Sequence, residues 1–279
     1  MLQPVDHVIA GVRCAVYDSD PSRREAVVFV HGNPGPMDDW EELAPAVATF
    51  ARVVAMDMPG YGRAEHPKNF DYTVEGYGHY LGALLDHLAV ERAHLVLHDF
   101  GGPWGLKWAV EHPDRLASLT LINCGILEAY KWHRFARIWQ TPVLGELAQL
   151  TTTAWGMHRT LNRMSPRPLP RTFIDRVMKY ADWSHKRAVL KLYRASKRLG
   201  ESAKPFEGAP FAQKLPMCVI RGAGDPFIQV EFAEKQKQYF PLAEIYVLPG
   251  LGHWPFIDDV DTVRGPLVEF LRQNVGRSG

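Results

Sequence analysis

The segment His94-Leu95-Val96-Leu97-His98-Asp99-Phe100-Gly101-Gly102 decides the fold. An apolar run that reads as a buried strand stops at an aspartate. Two glycines follow, then Pro103-Trp104-Gly105-Leu106, which opens a segment of helical periodicity. A strand that turns this sharply into a helix needs small residues around the apex, because side chains there clash across the turn. Gly101 and Gly102 supply them, and the apex side chain is pushed out above the sheet over the helix N-terminus. A carboxylate at the apex is ionised at neutral pH and can attack an electrophilic carbon directly. Taken alone, an Asp beside Gly also suits a helix N-cap in an ordinary loop.

Outward from this turn the rhythm repeats. Ala26–Val30, Arg52–Met56, Leu95–His98, Ser118–Ile122, Met217–Arg221 and Glu244–Leu248 read as short, near-continuously apolar strands. Helical stretches separate them, among them Tyr77–Leu88, Pro103–His112 and Pro266–Asn274, with Pro266 suited to a first helical position. The pattern is that of a mostly parallel sheet covered on both faces, and roughly eight strands are expected.

Three further motifs fall directly after strands. His31-Gly32-Asn33-Pro34 is placed to give a backbone N–H to an oxyanion hole, with the N–H of Phe100 as second donor. Arg221-Gly222-Ala223-Gly224-Asp225-Pro226 sets a carboxylate in a glycine-rich turn, and Gly250-Leu251-Gly252-His253-Trp254-Pro255 sets a histidine on a loop. The chain order is nucleophile, acid, histidine. Four such turns in that order do not read as coincidence.

Between about Cys124 and Pro205 the rhythm breaks. The stretch holds Trp132, Trp139, Trp155 and Trp183 and reads as several helices without a strand. Inserted after a strand's C-terminal end, they would lie over the sheet edge where open α/β folds bind ligands. Residues 124–205 are therefore expected to form a helical lid, and residues 1–123 with 206–279 the core.

Composition narrows the classes. The 279 residues carry 32 basic and 31 acidic side chains, a net charge of +1, without a basic run, so neither a nucleic-acid nor a membrane-surface partner is expected. No stretch resembles a membrane span or a secretory leader, and Cys14, Cys124 and Cys218 read as buried thiols, which points to the cytoplasm. The 12 histidines show no metal-ligand spacing, so no metal and no cofactor are expected. A homodimer is compatible with the sequence.

These residues make the chain resemble the epoxide hydrolase and haloalkane dehalogenase branch of the α/β-hydrolases. The likeness covers Val54 through Gly62, His98 through Gly102, Asp225 and Gly252-His253-Trp254, and is weak in the lid. It implies Asp99 as nucleophile, His253 as the base that activates water to cleave an alkyl-enzyme ester, and Asp225 as its orienting partner. The family that these motifs resemble also implies a small apolar substrate and water as partners. Dehalogenases of this branch resemble one another in a Trp directly after the nucleophile, whose indole N–H holds halide together with the Asn of the His-Gly-Asn-Pro motif. Asn33 matches, but Phe100 stands at the other position and offers no side-chain donor. Epoxide hydrolases use lid tyrosines, one in a late Tyr-Arg pair, and Tyr193-Arg194 fits. Tyr130, His158 and Tyr180 are the candidates for a second lid donor, and Trp104 is a candidate for the cavity wall. Epoxide opening is the expected reaction and dehalogenation the alternative. Ester or C–C hydrolysis, which in related proteins uses Ser at the apex, is disfavoured by Asp99. A ligand-binding homologue without catalysis is disfavoured by the full set of three. Asp57 is read as a turn stabiliser, His98 as a core histidine bonded to backbone, Trp108 as packing, and the arginines from Arg134 to Arg198 as a solvated face.

Overall fold

The computed structural model describes residues 2–201 and 203–277. Eight strands form one sheet: β1 (Val5–Ile9), β2 (Val12–Asp18), β3 (Glu25–Val30), β4 (Val53–Met56), β5 (Arg92–His98), β6 (Leu116–Ile122), β7 (Met217–Gly222) and β8 (Ala243–Leu248). Their spatial order is β1-β2-β4-β3-β5-β6-β7-β8. All pairings from β4 to β8 are parallel, whereas β1 pairs antiparallel with β2, and β2 with β4.

Helices cover both faces: α1 (Ala44–Ala48), α2 (Val74–His87), α3 (Gly101–Glu111), α4 (Arg134–Gln140), α5 (Leu144–Thr151), α6 (Ala154–Met164), α7 (Arg171–Lys179), α8 (Trp183–Ala195), α9 (Glu231–Lys235), α10 (Pro255–Asp258) and α11 (Val260–Asn274). Alternate side chains of the central strands feed different cores. Val28, Val30, Leu95 and Leu97 join one cluster, and Val27, Phe29 and Val96 join the other. This is why those strands read as apolar runs rather than as alternating ones.

Two strands are added to the six located from sequence, and one helix start is corrected. The hairpin β1–β2, turned through Ala10 and Gly11 at positive φ, was not anticipated. Its outer strand exposes Val5 and Val8 and lacks the two-sided burial of the others. Pro266 lies inside α11, which begins two turns earlier with Asp259 accepting from the Thr262 N–H. Periodicity alone placed the helix start too late.

Between β6 and β7 the described residues form five α-helices, α4 to α8, with short 3-10 turns and no strand. Arg176 of α7 ties this insertion to the core through Asp39 at 3.0 Å and Glu41 at 2.9 Å. His185 of α8 adds a bond from Nδ1 to the Gly60 carbonyl at 3.0 Å. No helix among the described residues is long and apolar enough to cross a membrane.

Candidate active site

Register brings the motif loops together. Val30 of β3 is level with Leu97 of β5, so the loop after β3 lies beside the turn after β5. Asp99 occupies that turn at φ +49°, a strained conformation for a residue with a Cβ. Its neighbours have no room to spare. A Cβ on Gly32 would land on the Asp99 carboxylate, and a Cβ on Gly101 would land on the Val30 carbonyl. Gly32 and Gly101 thus hold the carboxylate at the sheet edge by close approach.

Asp99 Oδ1 accepts a hydrogen bond from the Asn33 N–H at 2.6 Å. The second expected donor, the Phe100 N–H, makes no hydrogen bond to that carboxylate here, so Asn33 is the backbone N–H donor that engages it. Asp99 Oδ2 lies 3.4 Å from His253 Nε2. On the other side of the ring, His253 Nδ1 bonds to Asp225 Oδ2 at 2.9 Å. The three residues named from sequence therefore form one connected line.

Asp225 is seated from several directions. The N–H groups of Phe227 and Ile228 donate to its Oδ1 at 2.8 and 3.1 Å. Asn123, just past β6, donates from Nδ2 to Asp225 Oδ2 at 2.8 Å and to the Gly252 carbonyl at 3.0 Å, while its Oδ1 accepts from the Gly222 N–H at 2.9 Å. One amide thereby fixes the acid loop to the histidine loop. Sequence reasoning missed Asn123; its place one residue after a strand end was the available signal. Arg221, fully buried, lies 3.8 Å from Asp225.

The electrostatics follow from this packing. Burial alone would lower the His253 pKa, but Asp225 and then Asp99 outweigh it and raise it to about 9. Burial opposes ionisation of Asp225, yet His253 and Arg221 hold its pKa down to about 2. Burial likewise opposes ionisation of Asp99, and the bond to His253 still keeps it below the usual carboxylate value. At neutral pH the resting site is an anionic Asp99 against a cationic His253.

His98 donates from Nε2 to the His253 carbonyl at 2.8 Å and, with burial dominating, its pKa is lowered to about 3. It is a neutral histidine that holds the loop. Asp57 accepts from the Met37 and Arg63 N–H groups at 2.7 and 2.9 Å and stabilises the turn after β4. Cys14, Cys124 and Cys218 are all buried.

A cavity of about 400 Å³ opens between the sheet edge and the lid helices. Asn33, Asp99, Phe100, Tyr130, Tyr193 and His253 all border it. Tyr193 of α8 meets the Phe100 ring edge-on at 5.1 Å between centroids, and Asn33 Nδ2 donates to its hydroxyl oxygen at 3.4 Å. The Tyr193 hydroxyl donates to no acceptor among the described residues. Burial raises its pKa well above 10, so the phenol keeps its proton.

The other expected lid donors fare differently. Tyr130 borders the cavity, but its hydroxyl donates to the Phe227 carbonyl at 3.0 Å. His158 does not border the cavity, because its ring turns along α6 to meet the Asn162 amide at 3.0 Å. Tyr180 does not border it either and packs beneath the Arg63 guanidinium at 5.5 Å. Trp104 is also removed from the wall: it is fully buried and stacks on Tyr77 at 4.1 Å, beneath Phe100. His133 was missed. It borders the cavity, and its Nδ1 accepts the Ala136 N–H at 3.2 Å, which leaves the proton on Nε2. Burial lowers its pKa to about 4, so the ring is neutral. No sequence motif marks it.

The residue 25–260 region matches the family model described as the alpha/beta hydrolase fold. The chain belongs to that family. Among curated proteins it is 28% identical over 252 residues to a dihydrolipoyllysine-residue acetyltransferase component of the acetoin cleaving system of Pseudomonas putida, covering 89% of this chain and 64% of that one. It is 36% identical over 97 residues to a haloalkane dehalogenase of Agrobacterium fabrum, covering 35% of this chain and 32% of the other. The chain thus spans less than two thirds of the length of both. With a 2-hydroxymuconate semialdehyde hydrolase of a Pseudomonas species it shares 24% identity over 95% of this chain and 93% of the relative. The solved structure of the epoxide hydrolase CorEH superposes with a TM-score of 0.83 at 16% identity, over 98% of this chain and 99% of that one, a likeness of fold.

Proposed function

We propose that the chain hydrolyses epoxides to diols through an alkyl ester on Asp99. The observation that carries this reading is the Tyr193 phenol: buried, protonated, uncommitted as a donor and set beside Asn33 on the wall of the nucleophile's cavity. Opening the ring puts negative charge on oxygen, and a preorganised donor there lowers the barrier.

Asp99 Oδ2 attacks a ring carbon, the carbon–oxygen bond breaks, and the freed oxygen is met by the Tyr193 O–H. That oxygen needs one proton, and the resting site carries one in excess on His253. Its loss leaves the imidazole neutral, as the second step requires. His253 Nε2 then takes a proton from water, whose oxygen adds to Asp99 Cγ. The charge on Oδ1 is held by the Asn33 N–H; the acyl–oxygen bond breaks, the departing alkoxide takes the proton of the hydroxyl newly added to Cγ, and the diol leaves Asp99 anionic and His253 protonated again. Asp225 fixes the ring and stabilises the imidazolium.

A pH profile follows. Ester formation needs ionised Asp99 and protonated His253. The first is held below its usual pKa and the second raised to about 9. Single-turnover ester formation should therefore be flat from roughly pH 5 to 8 and fall above that. A rate that instead climbs through this window would contradict the assignment of His253 as cationic at rest.

Dehalogenation is the second reading. Asn33, whose backbone N–H meets Asp99 and whose side-chain amide borders the same cavity, supports it, as does the similarity to a haloalkane dehalogenase over 97 residues. Phe100, with no N–H on its ring, weighs against it. Incubation with styrene oxide and with 1-bromobutane separates the two. Diol without bromide is expected. Bromide without diol would favour the second reading, and neither product would remove both.

A further inference from the structure

The chain's net charge of +1 conceals a division. Residues 124–205 hold sixteen lysines and arginines against five aspartates and glutamates, a net +11. The remainder then has sixteen basic and twenty-six acidic side chains, a net −10. The molecule is a strong electric dipole with its positive end on the lid.

The outermost part of that lid is also apolar. Val143, Leu144, Leu147, Leu150 and Trp155 are each more than half exposed. They lie along α5 and the start of α6, with Leu144, Leu147 and Leu150 at helical spacing on the outer side. The inner residues Ala148, Gln149 and Thr152 border the cavity. Exposed cations flank this strip: Lys131, Arg134 and Arg137 before and along α4, which packs on α5, and Arg159 and Arg163 on α6. None of the five has a carboxylate within 4.0 Å among the described residues. Arg159 lies over the Trp155 ring at 5.5 Å. The strip's one acid, Glu146, is neutralised by Arg194 at 2.8 Å.

We propose that this face of the lid docks on an anionic lipid surface. A leucine-and-tryptophan strip rimmed by cations is what an interfacial helix presents: the apolar residues enter the headgroup boundary, and the cations meet anionic headgroups. The dipole orients the molecule lid-down, because the acidic core is repelled by the same surface. A nucleic acid would satisfy the charges but leave the leucines and the indole in water, whereas a lipid surface satisfies both. The inner sides of the same helices border the cavity, so an apolar solute dissolved in the lipid would lie one helix away from the site. That consequence rests on the proposed chemistry; the docking does not.

The test is co-sedimentation of the full chain with vesicles of phosphatidylcholine alone and of phosphatidylcholine mixed with phosphatidylglycerol. Binding to the mixed vesicles only is expected, weakening as salt rises from about 0.1 M to about 1 M and the screening length falls from about 10 Å to about 3 Å. Arg159→Glu with Arg163→Glu should lower the partition coefficient by on the order of a hundredfold. Leu147→Ser with Trp155→Ser should lower it at least about tenfold. Unchanged thermal melting and unchanged turnover of a water-soluble substrate show that both variants remain folded. Failure to bind either vesicle overturns the proposal. Binding that salt abolishes but Leu147→Ser with Trp155→Ser leaves intact overturns it too, since a plain polycation would behave so. Binding to duplex DNA as tight as to the vesicles would assign the face to nucleic acid instead.

Discussion

A His253→Gln variant is expected to stop halfway and to hold its substrate covalently on Asp99. Ester formation draws on the Asp99 carboxylate, the Asn33 N–H and the Tyr193 phenol, all of which remain. Ester hydrolysis draws on the imidazole, 3.4 Å from Asp99 Oδ2 in the resting site. Glutamine fills a similar volume but cannot take a proton from water. Loss of a positioned general base costs about a hundred- to ten-thousandfold in its step. The first step loses the proton that His253 supplies and is slowed, as it is in the unmodified protein at high pH, whereas the second step loses its base altogether, so the ester accumulates. Intact-protein mass spectrometry after styrene oxide should show a gain of one substrate mass, located by peptide mapping to Asp99. An adduct on another residue would remove Asp99 from its role. Full turnover by the variant would remove His253.

Tyr193→Phe carries the second large effect. The ring stays against Phe100 and the binding of an apolar epoxide should change little, because only the hydroxyl is lost. The developing oxyanion loses its donor, which typically costs about 3 kcal/mol of barrier, close to a hundredfold in rate. The His133 Nε2–H on the same cavity could soften this, and a tenfold fall in kcat with KM nearly unchanged is the smallest effect consistent with the mechanism. A packing tyrosine would leave turnover intact. The complementary change, Phe100→Trp, puts an indole N–H beside the nucleophile and Asn33. It should gain bromide release from 1-bromobutane if the scaffold retains a halide pocket. Bromide release already efficient in the unmodified protein, with Tyr193→Phe unimpaired on epoxides, would make dehalogenation the better reading.

The legible parts of this protein are those where backbone geometry leaves few choices. The turn at Asp99 demands Gly101 and Gly102, the strands on both sides are apolar because both faces are covered, and the acid and histidine loops follow β7 and β8. Local sequence therefore carries them. The hairpin β1–β2 was harder, since an edge strand with Val5 and Val8 exposed has neither the buried run nor a strong alternation. The lid was hardest. Which face of α6 or α8 meets the cavity is set by how five short helices pack on one another, and no motif records that. His158 and Trp104 were reasonable by type and lie elsewhere; His133 and Asn123 lie at the site with nothing in their neighbours to announce them. The charge division is a further case, since a net +1 averaged over 279 residues erased a lid of one sign and a core of the other.

The central claim is that Asp99, not water, makes the first bond to carbon. A single turnover with enzyme in excess over styrene oxide, run in water enriched in heavy oxygen, tests it directly. If Asp99 is alkylated and water then attacks its Cγ, the first diol formed carries an ordinary oxygen taken from Asp99, and the heavy oxygen is found in the Asp99 peptide. Heavy oxygen in that first diol, with Asp99 unlabelled, would contradict the ester mechanism.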